Sequence, residues 1–109
     1  MIRAPLRLLA TLALAVGAPS TALAADDAEA GKTKANTCMG CHGIPGYNNV
    51  YPTYRVPKLG GQSPAFLAEA LKAYRSGERT HPTMRAQAFD LSDEDIEDIA
   101  AYLSEAPAK

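Results

Sequence analysis

Five consecutive residues, Cys38-Met39-Gly40-Cys41-His42, constrain this chain more than any other feature of its sequence. Two cysteines that are separated by two residues and followed at once by a histidine form the attachment pattern of a c-type haem. The spacing has a chemical reason, because two thiols about one helical turn apart can add to the two vinyl groups on one edge of a porphyrin. The histidine then lies under the ring, where an imidazole nitrogen can coordinate the iron. The pattern predicts one haem c that is bound covalently through Cys38 and Cys41 and ligated by His42.

Residues 1–24 have the three regions of a secretory signal peptide. Two arginines supply positive charge, residues 8–16 form an apolar run, and Ala22-Leu23-Ala24 fits the small-x-small cleavage pattern. The apolar run is shorter than the roughly 20 residues that a membrane span needs, which disfavours the alternative of a retained anchor. We therefore expect cleavage of this segment, export to the periplasm, and a mature domain over residues 25–109.

The mature domain is small and slightly acidic. Removal of the two arginines in the signal peptide leaves nine basic and twelve acidic side chains, a net charge of −3. Nucleic-acid binding usually requires clustered positive charge, so the composition disfavours that class of function. Below roughly 70 to 80 residues a hydrophobic core usually needs an additional staple, and this domain is barely larger. The chain has no tryptophan and two phenylalanines, and a buried porphyrin would supply the missing apolar mass.

The first helix is predicted from Asp26 to about Thr37, directly before the cysteine motif. Asp26 can cap its N-terminus, and Glu29 three residues later would complete a capping box. The inward face of this helix would contain small side chains around Gly31, although glycine in mid-helix costs about 1 kcal/mol relative to alanine. We expect Gly31 to allow another helix to cross closely.

Two further helices are predicted in the second half of the chain. Ser63-Pro64 indicates a helix start and Gly77 a helix end, because serine caps N-termini, proline fits the first turn, and glycine ends helices. The last helix begins at Ser92 with three carboxylates in its first turn, where the helix dipole favours them. Its apolar residues recur with helical period: Ile96, Ile99, Ala100 and Leu103. A short helical turn over residues 86–89 is a further candidate.

The segment from Gly43 to Ser63 is dense in glycine and proline. Four glycines and three prolines predict an irregular loop without a regular helix or a central strand. Loops longer than about 12 to 15 residues are uncommon in compact domains unless they are functional, and this one would be ordered by wrapping over a porphyrin. Tyr47, Tyr51 and Arg55 are candidates for hydrogen bonds to the haem propionates, although exposure to solvent is the simpler expectation for them.

The second axial position of the iron has several candidate ligands in the mature chain. These are Met39, His81, Met84 and the lysines. Met39 lies between the attachment cysteines and is held on the wrong side of the ring. Met84 lies in a polar segment rather than in an apolar stripe, which favours ligation over core filling. Met84 is the leading candidate, and ligation by His81 and an open position stay as alternatives.

Pro57 is a candidate for orienting the iron-ligating histidine. A ligating histidine usually donates its other N–H to a carbonyl or carboxylate, and the backbone of a proline holds its carbonyl in a fixed place. On spacing alone, a plain turn proline is the simpler interpretation.

Several stretches together resemble the class I cytochrome c family, in particular its small soluble bacterial members and the single-haem halves of di-haem relatives. The resemblance covers essentially the whole mature chain. The matching stretches are residues 38–43, residues 57–62, Met84, residues 91–96 and residues 100–103. The segment 43–55 is longer than the commonest small members show.

The resemblance implies an all-α fold of about three to four helices, with a long loop wrapped around one covalently bound haem. The first and last helices are then expected to cross near Gly31 and Tyr102. The resemblance also implies that the carbonyl of Pro57 is the partner of His42 and that Met84 is the distal ligand.

A cytochrome of this kind is expected to carry single electrons and not to act as an enzyme. We expect a monomer without stable membrane insertion. It would form small, transient complexes with respiratory-chain donors and acceptors, and membrane oxidases or dehydrogenases are candidates for these partners. Lys58 and Arg85 are candidates for charges that steer association. The alternatives are a haem subunit of a dehydrogenase or oxidase complex, and a peroxidase or gas sensor with an open iron position. A thiol oxidoreductase or a zinc protein is disfavoured, because the βαβ pattern and the further ligands that these would need are missing.

Overall fold

Five helices and one two-stranded hairpin make up the described part of the chain. The structure is a computed structural model that describes residues 27–107, so the predicted signal peptide and Asp26 lie outside the described residues. The elements are α1 (Ala28–Lys34), α2 (Asn36–His42), β1 (Asn48–Val50), β2 (Thr53–Arg55), α3 (Pro64–Ser76), α4 (Pro82–Ala88) and α5 (Asp93–Glu105). The all-α class is confirmed, with more helices than the three or four expected. Between residues 27 and 107, no helix has both the length and the apolar character needed to cross a membrane.

α1 and α5 cross in close contact at Gly31. A Cβ added to this buried glycine would overlap the backbone oxygen of Asp98 and would lie 2.9 Å from the Cβ of Tyr102. The crossing near Gly31 and Tyr102 is thereby confirmed. The missing side chain is what allows the two backbones to approach, which offsets the low helix propensity of glycine.

The boundaries of the first helix differ from the prediction. Asp27, and not Asp26, is the N-cap: its carboxylate accepts hydrogen bonds from the N–H groups of Glu29 and Ala30 at 3.0 and 3.1 Å. The helix ends at Ala35, a fully buried residue with φ −79° and ψ 0°. The cysteine motif therefore lies on a separate short helix, α2, which is one reason for the higher helix count.

The hydrophobic core lies where α5 packs against α1 and α3. Among the described residues, the buried hydrophobic side chains are Ala35, Leu67, Ala68, Ala88, Ile96, Ile99, Ala100 and Leu103. All four residues of the predicted apolar stripe of α5 are among them, so that prediction is confirmed. Half of the set is alanine, and the largest fully buried side chains are Ile96 and Ile99. The core formed by protein atoms alone is small for a chain of this length.

A β-hairpin occupies part of the segment for which an irregular loop was predicted. β1 and β2 pair antiparallel, with Asn49 opposite Tyr54, and Pro52 lies in the turn between them. The prediction was wrong here because dense proline and glycine exclude a central strand, whereas an isolated hairpin consists of edge strands and a turn that tolerates proline. Residues 56–63 are irregular, as predicted.

Candidate haem site

A cavity of about 460 Å³ opens between α2, β2, α3 and α4. This volume lies within the roughly 300–1,000 Å³ that is typical of cofactor sites. Apolar side chains from the core line much of it: Leu59, Leu67, Leu71, Ile99 and Leu103. The lining also includes every residue predicted to hold the cofactor: Cys38, Cys41, His42, Pro57 and Met84. An apolar cavity with two thiols, an imidazole and a thioether in its wall fits a porphyrin.

The two thiols lie on α2, one helical turn apart, and both border the cavity. They are not joined by a disulfide bond, although their spacing and an oxidising compartment would allow one. Burial raises the pKa of the Cys38 thiol, which keeps it protonated and lowers its reactivity. Cys41 is exposed, so this edge of the cavity lies near the protein surface.

His42 is the last residue of α2, and its ring is tied to the loop that follows the hairpin. Its Nδ1 lies 2.8 Å from the carbonyl oxygen of Pro57. Because a carbonyl can only accept, Nδ1 is the donor, and Nε2 therefore carries the lone pair that a metal can bind. The predicted contact between His42 and Pro57 is present, and it selects the tautomer that iron ligation requires.

The loop that contains Pro57 is itself supported by the C-terminal end of α5. The N–H of Gly61 donates to the carbonyl of Leu103 at 3.2 Å. A Cβ added to Gly60 would overlap the backbone oxygen of Pro107. Glycine at position 60 lets the loop lie directly against the end of α5, and Gly61 adopts a positive φ of 79° that other residues rarely adopt. Together they hold the Pro57 carbonyl in place.

Met84 lies in the first turn of α4, half-buried in the wall of the same cavity. This helix spans Pro82–Ala88, so the predicted short turn over 86–89 was placed too late. The available signal was Pro82, because proline is favoured at the first helical position. His81 is the N-cap: its Nδ1 accepts the N–H of Met84 at 3.3 Å. His81 also borders the cavity, but this hydrogen bond already occupies one of its ring nitrogens.

The structure divides the three side chains that were considered for propionate binding. Arg55 borders the cavity. Tyr51 is 95% exposed at the hairpin turn. Tyr47 lies at the base of the hairpin, where its backbone carbonyl accepts the N–H of Val56, and it is not among the residues that border the cavity. Tyr54, which the sequence did not single out, lines the cavity instead. Arg55, its neighbour on the strand, borders the same cavity, so the alternation of side chains along a strand would not have identified Tyr54.

These features define a small helical domain built for covalent attachment of one haem. The chain belongs to the cytochrome c family, whose sequence profile ("Cytochrome c") matches residues 28–107. It is 48% identical over 83 residues to cytochrome c-554(548) of Halomonas halodenitrificans, an alignment that covers 73% of this chain and 96% of that protein. Family membership means that the chain carries covalently bound haem c, and Cys38 and Cys41 fit the attachment motif.

Longer cytochromes contain a similar unit. The chain is 41% identical over 98 residues to cytochrome c4 of Pseudomonas aeruginosa, which covers 90% of this chain and 47% of that protein. It thus spans about half the length of that relative. A solved structure of the thiosulfate dehydrogenase TsdBA from Marichromatium purpuratum is similar with a TM-score of 0.59 and 34% identity, over 74% of this chain and 19% of that one. The chain is a cytochrome c4-like electron-transfer haem protein.

Proposed function

We propose that this protein is a periplasmic carrier of single electrons between respiratory-chain partners, with its iron held by His42 on one side and Met84 on the other. The observation that carries the proposal is that both of these side chains line the same cavity as the two attachment cysteines. When bound, a haem with nitrogen and thioether ligands supplies a one-electron iron couple of raised potential. The two attachment cysteines and the two iron ligands, His42 and Met84, are thus proposed as one haem-binding unit.

The contribution of the protein on the His42 side is orientation. The hydrogen bond to the Pro57 carbonyl fixes the imidazole ring and its tautomer, which leaves the other nitrogen free for a metal. The loop that carries Pro57 rests on α5, so this orientation depends on the last helix as well as on the motif itself. On the other side, a thioether in the axial position excludes small exogenous ligands, and this distinguishes a carrier from a peroxidase or a gas sensor.

Docking of a partner is proposed at the edge of the cavity next to Cys41. That residue is exposed, and Phe66, which also borders the cavity, is 55% exposed. Transient redox complexes need a small contact area close to the cofactor rather than a large interface. The exposed side chains of Lys58 and Arg85 would steer partners and make the association rate depend on ionic strength.

The periplasmic location rests on the signal-peptide pattern of residues 1–24, and the proposed state is a monomer. A haem subunit within a dehydrogenase complex is a second candidate, favoured by the similarity to part of a thiosulfate dehydrogenase. Purification from the native host separates the two candidates. A carrier elutes alone at the mass of one chain, whereas a subunit elutes with its enzyme at low ionic strength and at high ionic strength alike.

Replacement of Met84 tests the axial ligation. We expect Met84→Leu in the haem-loaded protein to abolish the far-red absorption band that methionine sulfur gives on ferric iron. The reduction potential should fall by about a tenth of a volt or more, because axial ligands set haem potentials over a range of about 0.8 V. Met39→Leu is the matched control and should keep both properties. Survival of the band in Met84→Leu would contradict the proposed ligand.

A further inference from the structure

The hairpin of residues 48–55 contacts the segment that carries Met84. Tyr54 on β2 donates its phenol O–H to the hydroxyl of Thr83 over 3.2 Å. The ring of Tyr54 also meets the imidazole of His81 edge-on, with 4.8 Å between ring centroids and an angle of 82° between the planes. One side chain of the hairpin thus reaches two of the three residues that precede Met84.

His81 connects the hairpin to Met84. Its Nδ1 accepts the backbone N–H of Met84, so the ring caps the helix whose first turn contains the proposed ligand. The ring of Tyr74 on α3 lies on another side of the imidazole, 6.4 Å away between centroids and at 76°. His81 is therefore held between β2 and α3 while it holds the start of α4.

α4 packs against α3, but among the described residues its first turn has no fully buried side chain. It is seven residues long, and Ala88 at its far end is its buried residue. Helices shorter than about 12–15 residues are marginal on their own in water. The position of Met84 must therefore depend on the cap and on the contacts made around it.

We infer that Tyr54, His81 and Thr83 form a latch that positions Met84, and that this is the role of the hairpin. The inference rests on the proposed ligation of iron by Met84, and it adds positioning residues that do not themselves touch the metal. When the latch is weakened, the thioether should leave the axial position more often. An added ligand such as imidazole then binds in its place with higher apparent affinity, because the open state is more populated.

Removal of one hydrogen bond tests the latch with little disturbance. Tyr54→Phe keeps the ring and removes the donor, and Thr83→Val removes the acceptor. Each should raise the apparent affinity of ferric protein for imidazole by about two- to tenfold, the range expected for one lost hydrogen bond. The double variant should match the single ones, since both remove the same interaction.

Two control variants make this result specific. Tyr51→Phe is the same substitution in the exposed turn of the same hairpin and should leave imidazole binding unchanged. Ser92→Ala removes the N-cap of α5, where the Ser92 hydroxyl accepts the Asp95 N–H at 3.1 Å, and should lower global stability without raising imidazole affinity. An equal rise in Ser92→Ala would mean that general destabilisation causes the effect, and this would overturn the latch.

Variants of His81 test the cap. His81→Ala should raise imidazole affinity at least as much as Tyr54→Phe and should make the far-red band disappear at a lower temperature. His81→Asn should restore part of both properties, because asparagine is a good N-cap and can accept the Met84 N–H. If both variants bind imidazole as the wild type does, His81 does not position Met84.

The wild-type spectrum separates failure of the latch from failure of the proposed function. A wild-type protein without the far-red band lacks thioether ligation, and the proposed function fails first. A wild-type protein with the band, whose imidazole affinity is unchanged by Tyr54→Phe and Thr83→Val, keeps the proposed function and overturns the latch alone.

Discussion

At Gly31, two physical effects of a single methyl group oppose each other. Alanine favours a helix by about 1 kcal/mol over glycine, whereas an added Cβ would meet the backbone of Asp98 and the Cβ of Tyr102. Neither obstructing atom is the end of a flexible side chain, so α1 and α5 would have to separate. The steric effect is the larger one, since overpacking of this kind costs about 1–3 kcal/mol.

We expect Gly31→Ala to lower the free energy of unfolding by up to about 2 kcal/mol, the steric cost less the gain in helix propensity, measured by urea denaturation of the haem-loaded protein. Gly40→Ala is the matched control, because a Cβ at that helical position meets no protein atom within 4 Å. A gain of stability in Gly31→Ala would show that helix propensity outweighs packing at the crossing.

At the scale of elements, a charged cluster joins both ends of α1 to α5. The ammonium group of Lys34 lies 2.6 Å from the carboxylate of Asp98 and 2.9 Å from that of Asp95. The buried Asp98 also accepts the N–H of Asp27 at 2.9 Å. The hydrogen bond from Lys34 lowers the pKa of Asp98, and it lowers the pKa of Asp95 to about 2 with help from the backbone and side chain of Ser92. Both carboxylates are thus held in their charged form.

The lowered pKa values predict an acid-sensitive packing of α1 on α5. Their contribution to stability is complete above the ordinary value of 3.8 and is lost as pH falls through the lower folded values. We expect the free energy of unfolding to decline between about pH 4 and pH 2. Asp98→Asn keeps an oxygen for the Asp27 N–H but removes one charge, so its stability should be lower at pH 6 and fall less steeply below pH 4. Parallel curves for variant and wild type from urea titrations would contradict this assignment.

The elements that could be predicted from sequence are those whose ends are set by local hydrogen bonds. The Ser63 hydroxyl accepts the N–H of Phe66 at 3.1 Å, and Ser92 and Asp95 form a capping box. Each contact joins residues three positions apart, so a short stretch of sequence is enough to predict it. The hairpin was missed because cross-strand pairing leaves no comparable local signal. The start of α4 was missed because its cap is a histidine, although Pro82 at the first helical position was a usable signal.

The residues of the candidate site divide in the same way, into those that the sequence could predict and those that it could not. Cys38, Cys41 and His42 lie in one five-residue motif, Met84 was the leading candidate by elimination among the possible ligands, and the role of Pro57 followed from the resemblance to a family. All five line the cavity. The contact between Tyr54 and Thr83 joins residues 29 positions apart, on a strand that was not predicted and a helix that was placed too late. No spacing rule could have brought them together.

At the scale of the whole molecule, the cavity is large compared with the core that surrounds it. Half of the buried hydrophobic residues described are alanines. The larger apolar side chains, leucines above all, line the cavity, where a porphyrin would contact them. Without haem, water would enter this open cavity, and the apolar side chains that line it would lose the burial that the porphyrin gives them.

The chain without attached haem is therefore expected not to fold cooperatively. Cys38→Ser combined with Cys41→Ser, produced without haem, should show reduced helix content by circular dichroism and no sharp thermal transition. The haem-loaded wild type is the control and should unfold in one transition. A double variant with native helix content and a cooperative transition would show that protein side chains alone sustain the fold.

The contact between the Pro57 loop and the end of α5 also determines when the orientation of the His42 ring becomes fixed as the protein folds. Leu103 lies about 60 residues after the Cys38–His42 region in the sequence, and until α5 has packed, the N–H of Gly61 lacks the Leu103 carbonyl that it contacts in the fold. In the unfolded chain both thiols are accessible, and the His42 imidazole, without its hydrogen bond to Pro57, can rotate freely. Its final orientation is set only when the C-terminal helix closes onto the rest of the domain.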